Sequence, residues 1–248
     1  MPSAIVSSSS TIKTFVTPYS SLVSDTDYEA LRTGFTASVS HELRTPLARL
    51  QALLETAELP GADLHALLRQ AREEVAEMTE LVDDILFLSE LEQEREVVGL
   101  GVTEAAPVLR GVVSELSERA EMAGLTLRLV IEDETIEIPL RRRMLRLVVE
   151  NLLENALRYA GEGAACTVTL APVEGGTLLE VADDGTGVPD EDVARLFERF
   201  FRSDRARTTR GTGLGLAIVK HVIESAGGNV EARGGRGRGL DIRCVLPA

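Results

Sequence analysis

At 248 residues the chain holds one or two domains, and its 44% hydrophobic and 27% charged content is that of a folded protein rather than a disordered one. A net charge of −14 excludes a general nucleic-acid binder, whose phosphate contacts require a basic surface. Three histidines are too few for a histidine-rich metal site, no apolar run approaches the roughly 20 residues of a membrane helix, and the opening MPSAIVSSSS lacks the basic and long apolar regions of a secretory signal, so the expected compartment is the cytoplasm.

Residues 1–24 are rich in Ser and Thr and read as an N-terminal segment or linker, with a candidate strand in TIKTFVT. Thr26 followed by Glu29 is a capping box, and Leu31, Phe35, Val39, Leu43, Leu47, Leu50 and Leu54 then form one apolar helical stripe. Leu59-Pro60-Gly61-Ala62 breaks that helix and Asp63 is placed to cap the next, whose Leu64, Leu68, Ala71, Val75, Met78, Val82 and Ile85 follow a heptad rhythm. Two such helices joined by a short turn make a hairpin over 25–97. One hairpin has too little surface to bury two long stripes, and a pair forming a four-helix bundle solves that, so a homodimer is expected.

From about residue 98 the texture becomes mixed. Thr103 is expected to cap a helix ending near Gly124, and residues 125–131 and 135–138 look like paired strands. A helix over 140–159 follows, then strands at 166–172 and 177–183, a long loop containing Arg and Gly, a helix over about 214–226 and a closing strand. This order predicts an α+β domain over 98–248, with helices on one face of a mixed sheet. Cys166 and Cys244 lie far apart among apolar residues and are expected as small buried thiols.

The most informative stretch is FTASVSHELRTPL at 35–47. At about 100° per residue His41 points away from the apolar stripe, and Thr45 lies one turn later on nearly the same face. Glu42 adjoins the imidazole. Pro46 would cost about 3 kcal/mol in an ordinary helix interior, which suggests a local bend. An imidazole nitrogen is a competent nucleophile near neutral pH, and an adjacent carboxylate can hold the other ring N–H.

Three further stretches read as parts of one pocket. Asn151 and Asn155 share a helix face, followed by Arg158 and Tyr159; amide oxygens are hard donors of the kind Mg²⁺ accepts. Asp183-Asp184-Gly185-Thr186-Gly187 ends a strand, where Asp183 could accept the exocyclic amine of adenine while glycines allow close approach. Arg210-Gly211-Thr212-Gly213-Leu214-Gly215 opens a helix, offering backbone N–H groups to an anion. It is neither a P-loop nor a dinucleotide fingerprint.

The stretch at 35–47 resembles the H-box of sensor histidine kinases, H-E-x-x-T/N-P. In order and spacing the three pocket pieces resemble the N, G1 and G2 boxes of the GHKL ATP-binding family, with LFERFFR at 196–202 similar to its F-box. The resemblance covers about residues 27–248. It implies an α-helical hairpin, a four-helix bundle as a dimer, followed by an α+β sandwich of the GHKL (Bergerat) type that uses ATP and Mg²⁺. His41 would be the phosphoacceptor, with Glu42 and Thr45 beside it. Asn155 would be the Mg²⁺ ligand and Asp183 the adenine contact, with Asn151, Arg158 and Tyr159 on the same helix. Gly185, Gly187, Gly211, Thr212, Gly213, Leu214 and Gly215 would line the nucleotide, Arg199 and Arg202 would contact phosphates, and residues about 203–212 would form a lid. The implied partner is a response-regulator receiver domain, and a hinge near 95–102 is needed to bring ATP to His41. One departure is Ile138-Pro139-Leu140 where the family usually has an Asp, expected to affect the helix start only.

The gyrase-type and chaperone ATPases share this pocket but carry a Glu one turn before the metal-binding Asn, as base for water. Here that position is Asn151, and Glu150 points about 100° away on the helix. A second alternative is a phosphatase-dominated or adaptor dimer. The intact His41, Asn155, Asp183 and glycines favour a kinase, and Thr45 leaves room for a dual role. His65 and His221 have no such motif and are expected to be structural or solvated.

Overall fold

The computed structural model describes the backbone of residues 25–93, 101–203 and 211–247, and side chains from residue 39 onward except 92 and 93. The expectations for residues 1–24, most of the hinge and the centre of the lid lie outside the described residues. The chain divides into two compact units, one ending at Ser40 and one running from His41 to its end. The first contributes the opening turns of helix α1 (Asp25–Ala57).

In the second unit α1 runs on unbroken through Pro46. It tightens at its end, where Glu58 and Leu59 N–H groups donate to Glu55 and Thr56 carbonyls at 3.3 and 3.1 Å. Pro60 cannot continue the helix and Gly61 takes a left-handed conformation. Helix α2 (Leu64–Gln93) begins where expected, with the Ala66 N–H donating to Asp63 Oδ1 at 3.0 Å. Arg49 of α1 reaches Glu74 and Glu77 of α2 at 3.5 and 3.8 Å. The residues α2 buries lie off the expected heptad stripe: Leu81, Leu88 and Leu91 are buried, whereas Leu64, Leu68, Val75 and Val82 of the stripe stay exposed and Ala71, Met78 and Ile85 are half-buried; Leu47 and Leu54 of α1 are exposed too.

The mixed domain opens with strand β1 (Thr103–Glu104) and helix α3 (Ala105–Met122), which ends in a left-handed Gly124. There the Leu125 N–H donates to the Ala120 carbonyl at 2.9 Å and the Gly124 N–H to Glu121 at 3.0 Å, satisfying two orphan carbonyls of the last turn. Strand β2 (Thr126–Ile131), strand β3 (Glu137–Ile138) and helix α4 (Arg142–Tyr159) follow. Next come the hairpin of β4 (Ala165–Val173) and β5 (Gly176–Asp183), a short α5 (Asp190–Val193), helix α6 (Gly215–Ser225), and strands β6 (Asn229–Gly234) and β7 (Leu240–Pro247).

Five strands form one sheet in the order β2-β4-β5-β7-β6, parallel only between β2 and β4. Helices α3, α4 and α6 cover one face. The alternation along β7 shows why: Leu240, Ile242, Cys244 and Leu246 face the core, while Asp241, Arg243 and Val245 face out. Cys166 and Cys244 are free and buried, and burial pushes each thiol up to about 12.

Three expectations need correction. Strands β2 and β3 do not pair: β2 pairs with β4 across the α4 crossover, and β3 pairs with β1. Thr103 does not cap α3, because it sits in β1 and its hydroxyl donates to the Leu140 carbonyl at 2.6 Å. Strand β6 was absent from the expected list, since Asn229-Val230-Glu231-Ala232 carries only two apolar residues and holds an edge. The departure at 138–140 does alter the start of α4, which has Arg141 as N-cap and no side-chain cap. Among the described residues no helix is long and apolar enough to cross a membrane.

Candidate nucleotide and phosphoacceptor site

On α1 the His41 and Thr45 side chains are exposed on the face opposite the apolar stripe, while Glu42 is half-buried at its flank. Pro46 lacks the N–H that would reach the Glu42 carbonyl, which loosens the helix one residue past the imidazole. The Thr45 hydroxyl donates to the His41 carbonyl at 3.4 Å, a long bond that engages it weakly. Of the other histidines, His65 is exposed and His221 meets the Leu91 carbonyl at 3.4 Å.

A cavity of about 760 Å³ opens among α2, α4 and the loops before α6. From α4 it is lined by Asn151, Asn155, Arg158 and Tyr159, one face of consecutive turns. Gly187 of the turn after β5 lines it, as do Gly211, Thr212, Gly213 and Gly215 before and at the start of α6, and Arg202 between them. The G2 stretch sits hard against α4. Asn151 Nδ2 donates to the Leu147 carbonyl at 2.9 Å, and its Oδ1 would lie 2.5 Å from any Cβ placed on Gly215, so a side chain there would push the Asn151 amide out of its place. The F-box stretch is tied to the same loop, with the Phe200 N–H donating to the Gly213 carbonyl at 2.9 Å.

Four expected contacts do not line the cavity: Asp183, Gly185, Arg199 and Leu214. Arg199 is exposed and Leu214 fully buried. Asp183 stands at the end of β5 behind the lining, opposite Leu240, which does line it. Burial raises its carboxyl above the usual range, opposed by hydrogen bonds from the backbone N–H groups of Gly185, at 2.9 Å to Oδ1, and of Leu240. In this conformation Asp183 holds the Gly185 turn. His41 is not among the residues lining the cavity.

Other lining residues were not among the expected contacts. Glu80 and Asp84 of α2, Arg119 of α3 and Glu154 of α4 bring charge to the wall. Arg119 Nη2 donates to Glu154 Oε2 at 3.0 Å, and Arg158 bonds Glu80 at 2.6 Å with Glu154 at 3.7 Å. Burial disfavours the Arg158 charge, but these carboxylates outweigh it and its pKa is raised. The signal in sequence was the i, i+4 acidic pair Glu80 and Asp84 flanking the later-buried Leu81, which periodicity alone reads as a solvated face.

Residues 31–94 match the family model described as "His Kinase A (phospho-acceptor) domain", and residues 140–248 match "Histidine kinase-, DNA gyrase B-, and HSP90-like ATPase". The histidine protein kinase DivJ of Caulobacter vibrioides is 33% identical over 233 residues, which are 89% of this chain and 38% of that protein, so the chain spans well under half of this relative's length. The structure of the Acinetobacter baumannii histidine kinase AdeS matches with a TM-score of 0.67 at 25% identity, covering 84% of this chain and 98% of that one. The histidine kinase ThkA in complex with response regulator protein TrrA shares the fold, with a TM-score of 0.73 at 20% identity over 90% of this chain and 63% of that one. With a phosphoacceptor hairpin leading into a kinase-type ATP-binding domain, the chain belongs to the two-component sensor histidine kinase family.

Proposed function

We propose that this chain transfers the γ-phosphoryl group of ATP to His41 and then to an aspartate of a response-regulator receiver domain, in the cytoplasm where ATP is available. The observation that carries the reading is the exposed imidazole of an H-E-x-x-T-P helix, in the same chain as a cavity lined by Asn155, Arg158 and the glycine loop. A ring nitrogen of His41 attacks the γ-phosphorus, the bond to the β–γ bridging oxygen breaks, and ADP leaves; Glu42 accepts the ring proton. Catalysis of this kind rests on positioning and charge neutralisation. Arg158 and the N–H groups at the start of α6 orient the phosphates, and Asp183 is the adenine contact once its carboxylate faces the base.

Mg²⁺ fits the donor set. Among the described residues no group of three His, Cys, Asp or Glu could hold a metal, and the Asn155 amide faces the cavity, as suits an ion that takes few protein ligands and completes its shell with phosphates and water. When bound, it would neutralise phosphate charge. Asn155 would orient it through the amide oxygen. The domains of this reading are 25–97 for the hairpin and 98–248 for ATP binding, and ThkA's complex with a regulator supports the choice of partner. The exposed Leu54, Leu64, Leu68 and Val75 supply a face for a second copy. Hydrolysis as the main activity is disfavoured, because Asn151 stands where a base would be and Glu150, which does line the cavity contrary to its expected direction, is paired with Arg146 at 2.7 Å.

Incubation with γ-labelled ATP and Mg²⁺ tests the reading. The chain takes up acid-labile label, and His41→Gln loses it while calorimetry shows ATP affinity unchanged. Label persisting in that variant would assign the nucleophile elsewhere.

A further inference from the structure

The nucleotide cavity is closed by α2 on one side. Leu81, Leu88 and Leu91 of that helix belong to the same apolar cluster as the helices of the ATP-binding domain, and the Leu91 carbonyl meets His221 of α6. On the cavity side Glu80 and Asp84, one turn apart, project into the site. Glu80 Oε1 accepts from Arg158 Nη2 at 2.6 Å, and Asp84 Oδ2 accepts from the Thr212 hydroxyl at 2.7 Å. That hydroxyl itself accepts the Leu214 N–H at 3.2 Å, at the head of α6. A Cβ on Gly211 would lie 3.1 Å from Arg158 Nη1 and 2.9 Å from the Tyr159 hydroxyl, so the two carboxylate contacts are neighbours.

Both acids therefore take donors that the proposed site offers to phosphate oxygens. Carboxylates and a polyphosphate repel one another and cannot share these donors. Burial raises the Asp84 carboxyl above its ordinary range, only partly offset by the Thr212 bond, so its charge is held at a cost that exposure to water would remove.

We propose that Glu80 and Asp84 form an intramolecular latch standing in for the nucleotide's phosphates, so that phosphate binding and release of α2 from the ATP-binding domain are one event. This rests on the nucleotide-site reading above. The latch keeps the ATP-binding domain against α2 until a nucleotide carrying phosphates arrives, and it is indifferent to the adenosine moiety.

The test is Glu80→Gln combined with Asp84→Asn in the full chain, changes that keep shape and remove charge. Calorimetry with ATP and Mg²⁺ and with adenosine is run beside hydrogen exchange over residues 80–91. ATP affinity rises about tenfold, the equivalent of one lost competing charge-assisted contact, while adenosine affinity is unchanged. Exchange protection of 80–91 falls on ATP binding in the wild type and is already low in the variant without nucleotide. ATP affinity that is unchanged or lower, or protection that persists in the nucleotide-free variant, overturns the latch. A wild-type chain that binds no ATP overturns the site reading and with it the stand-in for phosphates, whereas ATP binding with retained protection in the nucleotide-free variant overturns the latch alone.

Discussion

Among the described residues the Thr45 hydroxyl makes one hydrogen bond, the 3.4 Å bond to the His41 carbonyl. A bond that long leaves the hydroxyl able to turn toward a water on the exposed face. If it orients water against a phosphorylated regulator, Thr45→Ala keeps self-labelling but slows regulator dephosphorylation about a hundredfold, the scale of a lost positioned polar catalyst. Separate assays of self-labelling and of phosphoregulator decay distinguish this from a helix-capping role, in which both activities drop together. The pairing of Arg119, Glu154, Arg158 and Glu80 makes a different point at this scale: Arg158 of the proposed nucleotide site is already committed to carboxylates, one of which, Glu80, lies in α2 outside the N-box stretch.

Among the described elements, the outer face of the sheet is the one no helix covers. Asp241 on β7 stands there among Glu180 of β5, Arg243 of β7 and Arg233 of β6, with one carboxylate oxygen buried and, among the described residues, without a hydrogen-bond partner. Burial first, and then Glu180, raise its pKa to about 6 against an ordinary 3.8. A raised folded-state pKa means that the protonated form favours folding. The contribution is full below the unfolded value and is lost as pH climbs through about 6. Asp241→Asn should therefore unfold at a higher temperature than the wild type at pH ~8, by about 1 kcal/mol after solvent screening, with the two converging near pH ~4. A difference independent of pH would mean that the ionised carboxylate is not the strained group.

This level also marks where sequence stops being informative. Asp63, Pro60 and Gly61 announce the hairpin turn because each acts on its immediate backbone, and the glycines around 211–215 announce close approach for the same reason. The partner of β2 could not be read that way. Its choice of β4 over β3 is settled by the α4 crossover, and alternation within 126–131 is identical for either partner. Thr103 resembled a cap because it precedes a helix, whereas its acceptor, the Leu140 carbonyl, lies far along the chain. The same non-locality hid Glu80 and Asp84, whose partners Arg158 and Thr212 belong to the other domain.

For the whole molecule, the face on which the proposed second copy would pack is the apolar face of the hairpin. Leu64, Leu68, Val75 and Val82 continue the heptad line after the buried residues of α2 are accounted for, and all are exposed. Packed against a second copy, they would complete the bundle. Leu68→Asp combined with Val75→Asp puts two unpaired carboxylates into that seam, at several kcal/mol each, and should give a monomer by light scattering with the helical content retained. A dimer of unchanged mass would place the second copy on another face.

Strand order imposes one more condition, on biosynthesis. Strand β7 is made after every other strand yet lies inside the sheet, between β5 and β6, and it brings Leu240 to the cavity and to Asp183. While a ribosome still holds residues 240–247, β5 and β6 have no common neighbour, the inner face lacks Ile242 and Cys244, and the nucleotide cavity lacks a wall. The helical hairpin emerges complete long before. If the proposed second copy docks on α1 and α2, its face is therefore available before the cavity has its last wall, and pairing would precede nucleotide binding in the order of synthesis.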